Sequence, residues 1–371
     1  MQAMHEIELK FGLPASQLDA LRAELARLGA DIARPQILQA AYFDTPDRRL
    51  AQARAALRVR REDADWVQTF KSAGLNTMVR VEDNQPATPP AASADGEALR
   101  PDLSRHGEAA RQVLMQALGW QPERDPPGHH SSLVALYRTD MRRTRSRLTV
   151  AAGTPHEGMV ELALDEGAIL AGEGPQQRCE AVCELEIELL SGSPQAVILA
   201  AEAWVERFGL WLDTQTKAHR GDRLARQVLP LTARPAKPPA EPTTPARNVP
   251  HHPAAPLDDD HSTAAPWPVA LEAALGRYTR AMSALASASG PVAPDSVQAW
   301  CEANRAIATV AHAETAQPWA HDLAAQAEAL AQRIAALNLD QPDQPETLTA
   351  LARSADATRM ALAVFTVLLT V

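Results

Sequence analysis

The sequence predicts an α+β protein: an antiparallel sheet curled into a closed barrel with charges inside and helices outside, followed by an all-α C-terminal domain. Three observations carry this prediction. Before about residue 225, short segments alternate with period two, the mark of strands whose two faces differ. One face of strand after strand is almost purely ionisable, with acidic and basic strands kept apart. After residue 268 the chain is alanine-rich and helical in period, with no strand signal.

The elements follow in order. His5 to Phe11 (HEIELKF) sets Glu6, Glu8 and Lys10 against Ile7, Leu9 and Phe11. Asp19 to Gly29 has apolar residues at helical spacing. Leu57 to Arg61 puts Arg58 and Arg60 together, Trp66 to Lys71 aligns Thr69 with Lys71, and Met78 to Asp83 aligns Arg80 with Glu82. Gln85 to Asp102 is turn-rich and reads as a loop insert. Met159 to Asp165 aligns Glu161 with Asp165, and Cys183 to Leu189 aligns Glu184, Glu186 and Glu188. Gln195 to Phe208 is again helical. Three parts result: 1–228, a proline-rich extended linker over 229–268, and a helical domain over 269–371. The apolar run from Met360 to Val371 is too short to span a bilayer and reads as a buried last helix.

A sheet with one wet face ordinarily mixes its polar residues. Closing the sheet with charges inside explains the habit, because the apolar face can then pack against helices outside. Enclosed charges need partners. Carboxylates suit hard divalent cations such as Mg2+ or Mn2+, which commonly bridge protein carboxylates to phosphates. Arginine and lysine suit phosphate oxygens, arginine in bidentate fashion. Together they stabilise charge on a transferring phosphoryl group, so water can be the nucleophile.

Net charge is −10, so the chain as a whole is unsuited to tracking nucleic acid, whereas arginines clustered at 54–61 and 138–147 suit a small anion in a confined site. Cys179, Cys183 and Cys301 suggest neither a disulfide scaffold nor zinc spacing, and the compartment reads as reducing. The N-terminus shows no signal peptide, so cytoplasm is the expected location, with no membrane partner. The sequence is silent on oligomeric state. His251-His252 and the Asp258 to Asp260 run read as solvated linker features.

Glu6-Ile7-Glu8-Leu9-Lys10 resembles the ExExK signature of the CYTH superfamily (triphosphate tunnel metalloenzymes). A series in the family's order supports it: Tyr42-Phe43-Asp44-Thr45-Pro46, Leu57-Arg58-Val59-Arg60, Thr69-Phe70-Lys71, Arg80-Val81-Glu82, an arginine strand around Arg143, Glu161 to Asp165, Cys183 to Leu189, and Lys217 with Arg220. The resemblance covers about residues 4 to 225 and implies an eight-stranded antiparallel tunnel with helices packed outside. It implies triphosphate bound by Lys10, Arg58, Arg60, Lys71, Arg80, Arg143, Lys217 and Arg220. Metal would be held by Glu6, Glu8 and members of the set Glu184, Glu186 and Glu188, with Glu82, Glu161 and Asp165 also in the tunnel. Glu6, Glu8, Lys10 and Glu186 form the expected catalytic set. Arg142, Arg145 and Arg147 leave the register at Arg143 open, and which two of the three β-strand glutamates ligate is open too. Asp44 reads as a turn former.

Cys183 to Gly192 and Thr216 to Gly221 are similar to the bacterial inorganic triphosphatase group, whose members carry a C-terminal CHAD domain. Here Leu271 to Met282 and Asp295 to Val310 resemble the start of such a domain, in degenerate and truncated form: Gln298 stands where histidine is expected, and Arg305 has no basic face around it. The expected reaction is metal-dependent hydrolysis of inorganic triphosphate to diphosphate and phosphate. Class IV adenylate cyclase, nucleoside or thiamine triphosphatase, and a non-catalytic polyphosphate-binding module are the rivals. Aromatics are 4% of the chain, with Trp66, Tyr42 and Trp211 as stacking candidates, and this scarcity favours a ligand without a ring.

Overall fold

The computed structural model describes residues 4–73, 79–89, 99–228, 266–288, 294–337 and 344–370. Residues 229–265 of the expected linker, 90–98 of the loop insert, the His251-His252 pair and the Asp258 to Asp260 run lie outside them. The elements are β1 (Met4–Gly12), α1 (Leu18–Arg27), β2 (Gln36–Asp44), α2 (Arg49–Gln52), β3 (Ala55–Glu62), β4 (Asp65–Ala73), β5 (Val79–Pro86), α3 (Glu108–Leu118), β6 (Val134–Val150), β7 (Gly158–Ala171), β8 (Arg178–Gly192), α4 (Gln195–Phe208), β9 (Trp211–Leu212) and α5 (Lys217–Val228). The C-terminal helices are α6 (Trp267–Ala286), α7 (Pro294–Ala313), α8 (Ala320–Ala335), α9 (Gln344–Ala352) and α10 (Ala355–Leu368).

The nine strands pair in the order β5-β4-β3-β2-β6-β7-β8-β1-β9, and β5 also pairs with β1. Eight strands therefore come round on themselves, as expected, with antiparallel neighbours throughout. The ninth, β9, is appended to β1. At two residues it is too short to show any periodicity in sequence.

Alternation sends each strand's apolar side outward. Leu9, Phe11, Leu162, Leu164, Leu185 and Ile187 pack with Val197, Trp204 and Val205 of α4. Leu57, Val59 and Phe70 pack with Leu114 and Leu118 of α3 and with Trp120. Each fully buried Leu or Phe contributes roughly 1.5–3 kcal/mol, so these outer faces dominate the barrel's stability. Asp44 accepts from the N–H groups of Thr45, Leu50 and Ala51, which caps α2 and fits its reading as a turn former.

One end of the barrel is lined differently. Leu38, Ala40, Tyr42, Tyr137, Met141, Ile169 and Val182 cluster with Leu224 and Ala225 of α5. By strand parity these residues share the faces that carry Arg58, Arg143, Asp165 and Glu184, so α5 plugs the interior. The plug needs close approach. A Cβ on Gly221 would lie 2.2 Å from the Tyr137 ring.

Helices α6 to α10 extend the same hydrophobic core that β1, β7, β8 and α4 begin. Tyr278 Oη donates to the Ala357 carbonyl at 2.7 Å, which ties α6 to α10. Met360, Leu362, Val364 and Phe365 are buried, which agrees with a buried last helix. Among the described residues no helix is long and apolar enough to cross a membrane.

Candidate functional site

A cavity of about 2780 Å³ takes in the barrel interior and extends along α6, and every expected site residue whose side chain is described lines it. Arg80 sits on β5 opposite Glu6 of β1, and its side chain lies outside the described part. The register left open in sequence is resolved at β6: Arg143 lines the cavity, with Arg145 also on its wall.

Near α5, cations and carboxylates interlock. Arg143 meets Asp165 in bidentate fashion at 2.6 Å from both Nε and Nη2, and also meets Glu186. Lys217, from the first turn of α5, reaches Asp165 at 2.7 Å and Glu186 at 2.9 Å, and contacts Glu184. Lys10 pairs with Glu184 at 3.0 Å and Asp213 at 3.3 Å. Arg220 pairs with Glu180 at 2.7 Å and Glu184 at 3.4 Å. The carboxylates of Asp165, Glu184 and Glu186 lie within 4.8 Å of one another. Burial alone would push the Asp165 and Glu186 carboxyls up, but Lys217 and Arg143 hold both below the usual range.

The wall formed by β1, β5, β7 and β8 is acidic. Glu8 stands opposite Glu188, and Glu188 opposite Glu161. Neighbouring like charges on a sheet are unfavourable. Burial, followed by the charges of Glu8 and Glu161, pushes Glu188 up to about 7. Burial also pushes Glu6 up to about 9, although Lys71 reaches it at 3.0 Å. Lys71 contacts Glu82 as well, at 2.5 Å, and Arg145 reaches Glu161 at 3.4 Å. Among the described side chains, carboxylates therefore outnumber nearby cations on this wall.

On β3 the imbalance has the opposite sign. Arg58 donates to Tyr42 Oη at 3.2 Å, and its Nε has no hydrogen-bond partner among the described residues. Arg60 donates from Nε to Glu62 at 2.7 Å. Burial, then the charges of Arg58 and Arg143, lowers Arg60 to about 10. An anion is the natural complement here.

Sequence reasoning missed Asp213 and the Gln215 carbonyl, which accepts from Lys10 Nζ at 2.5 Å. Asp213 precedes Lys217 in a polar stretch without alternation, and a backbone carbonyl leaves no signal at all. Of the stacking candidates, Tyr42 stacks on Tyr137 inside the cavity with centroids 4.7 Å apart, and Trp211 lies under the Arg353 guanidinium. Trp66 instead packs against the α3 core. Cys179 and Cys183 are free and exposed.

The CYTH domain family matches residues 4–221, more than half of the chain. The chain belongs to the CYTH family. An inorganic triphosphatase of Haemophilus influenzae is 27% identical over 223 residues, which cover 59% of this chain and 54% of that protein. The chain thus spans about half the length of the curated relative it matches. Among solved structures, a candidate adenylate cyclase from Bacillus halodurans overlaps at a TM-score of 0.37 and 18% identity, covering 56% of this chain and 91% of that one. A candidate adenylyl cyclase from Hippeastrum, described as having a dominant triphosphatase activity, overlaps at 0.35 and 20%, covering 59% and 95%. Overlaps this loose carry no argument about activity. The CYTH match ends at residue 221 and does not reach α6 to α10, where His312 pairs with Glu328 on the surface and His321 is exposed.

Proposed function

We propose that this CYTH protein hydrolyses inorganic triphosphate to diphosphate and phosphate with Mg2+ or Mn2+ bound, water being the nucleophile. The observation that carries the reading is the division of one cavity, among its described side chains, into a wall rich in carboxylates and a β3 wall rich in arginine. The donor set fits a hard cation, because the cavity is lined by neighbouring carboxylates: Glu8 stands opposite Glu188 and Glu188 opposite Glu161, and the Asp165, Glu184 and Glu186 carboxylates lie within 4.8 Å of one another. Glu6, Glu8, Glu161 and Glu188 would hold it, and when bound it supplies charge neutralisation at the phosphate oxygens. Glu184 and Glu186, expected as ligands from sequence, serve in this reading with Asp165 as counter-anions that orient Lys10, Arg143 and Lys217.

Arg58, Arg60 and Lys71 bind the triphosphate on its open side, and Lys10, Arg143, Lys217 and Arg220 take the end near α5. Because these donors are fixed before substrate arrives, little reorganisation accompanies charge development in the transition state. Residues 1–228 are the tunnel unit in this proposal, 229–268 the linker, and 269–371 the helical domain.

The test is phosphate release from tripolyphosphate, ATP and thiamine triphosphate, each with Mg2+, Mn2+ or EDTA, with cyclic AMP followed on the ATP samples. Turnover that needs metal and prefers tripolyphosphate is expected. Cyclic AMP formation, or tight binding in EDTA with no turnover under any condition, would overturn the reading.

A pH dependence follows from the acidic wall. Glu6 titrates near 9 when folded and near 4.5 when unfolded, so between pH 7 and 9 the folded state holds the extra proton. Stability then falls as pH rises through that window. Glu82, held far below the ordinary value, is ionised in both states there and does not offset the trend. In EDTA the melting temperature should drop from pH 7 to 9, and Glu6→Gln or added Mg2+ should flatten the slope. A flat profile in the EDTA-treated wild type would mean the wall is already ionised and balanced.

A further inference from the structure

The segment between α4 and α5 touches both Lys10 and the C-terminal helices. On the barrel side β9 pairs Leu212 with Phe11 and Trp211 with Gly12, and Asp213 N–H donates to the Lys10 carbonyl at 2.8 Å. The Lys10 ammonium then folds back onto this segment, onto the Asp213 carboxylate at 3.3 Å and the Gln215 carbonyl at 2.5 Å. Lys217 follows two residues later.

On its other side the segment is held by helix side chains and carbonyls. Leu212 N–H donates to Thr358 Oγ1 of α10 at 3.1 Å. Thr214 N–H donates to Ser283 Oγ of α6 at 2.8 Å, and the Thr214 and Ser283 hydroxyls lie 3.0 Å apart. The Gln215 side-chain amide donates to the Ser283 carbonyl at 2.9 Å. Ser283 and Thr358 are fully buried at 0% exposure, and neither lines the cavity. Hydroxyls inside helices commonly bond their own preceding turn. These two receive N–H groups from a segment that a two-residue strand could not hold by itself.

We propose that Ser283 and Thr358 are positioning residues for the triphosphate site: through Leu212, Thr214 and Gln215 they fix the groups that set Lys10 and the point from which Lys217 enters the cavity. The helical domain is then part of the active-site scaffold. The inference rests on the triphosphatase reading for its kinetic arm and on triphosphate binding alone for the other.

The test uses full-length protein carrying Thr358→Val, which keeps shape and removes the acceptor, Ser283→Ala, and Thr358→Ser as the conservative control. Thr358→Val and Ser283→Ala should each lower kcat/KM for tripolyphosphate roughly tenfold to a hundredfold, the scale of a misplaced catalytic group. Both should also weaken tripolyphosphate binding measured calorimetrically in EDTA, while Thr358→Ser restores wild-type values. A purely structural role would lower the melting temperature and leave the constants of folded protein and the EDTA affinity unchanged. That outcome, or wild-type constants in folded Thr358→Val and Ser283→Ala, overturns the proposal. If the wild type turns nothing over, the hydrolase reading fails separately, and the EDTA affinities still decide the positioning role.

Discussion

Glu8→Ala is expected to abolish most metal-dependent turnover and leave tripolyphosphate bound. Glu8 is 7% exposed and stands on β1 between the Glu6 and Glu188 carboxylates, the centre of the acidic wall. Losing one preorganised electrostatic element costs roughly a hundredfold to a thousandfold in kcat, and Glu8 should fall in or above that range. The Glu8 charge helps to hold Glu6 and Glu188 above the ordinary carboxylate range and also favours the charged Lys71 and Arg143, so its removal trades relieved repulsion against lost attraction. In EDTA the variant should therefore stay folded and still bind tripolyphosphate. Full turnover in a folded Glu8→Ala protein would remove the acidic wall from the mechanism. Loss of activity together with loss of EDTA-phase binding would instead show that Glu8 holds the cavity's shape.

The acidic and basic walls were legible because period-two alternation is a local property, and the strands that carry it have an unmixed charged face. Glu6 and Glu8, Arg58 and Arg60, and the three glutamates of β8 could each be placed on one face from five to seven residues. β2 shows where this stops working. Its inward residues are Leu38, Ala40 and Tyr42, apolar because α5 plugs the barrel beside them, so no charge pattern marked the strand. The plug itself was equally hidden. Lys217 and Arg220 were named as triphosphate-binding residues, but a helix that turns Leu224 and Ala225 into a barrel is decided by tertiary packing rather than by its own period. Arg143 was recognisable only as one of several arginines, and it took the Asp165 and Glu186 carboxylates to distinguish it. The tie from Lys10 through the Gln215 carbonyl to Ser283 spans β1, a loop and α6, and no sequence rule joins positions so distant.

Arg60→Ala should have the complementary signature to Glu8→Ala: binding lost, fold kept. In the substrate-free protein burial and the charges of Arg58 and Arg143 lower the Arg60 guanidinium to about 10, outweighing its pairing with Glu62. A cation destabilised in this way gains most from an arriving phosphate and is missed least in the empty cavity. Truncating one partner of a buried charge pair costs about 2–5 kcal/mol, so tripolyphosphate affinity in EDTA should fall by at least roughly thirtyfold. KM should rise with it, and kcat should fall less, because the acidic wall is untouched. The melting temperature without ligand should hold or rise, while the increase that tripolyphosphate gives the wild type should shrink. Arg58→Ala separates crowding from binding. Burial alone would lower the Arg58 guanidinium, but Tyr42 and Glu82 outweigh it, so loss of Arg58 should weaken binding and also destabilise the empty protein. If Arg60→Ala binds tripolyphosphate like wild type, the β3 wall is not the phosphate site, and the interlocked cations near α5 must carry the anion alone.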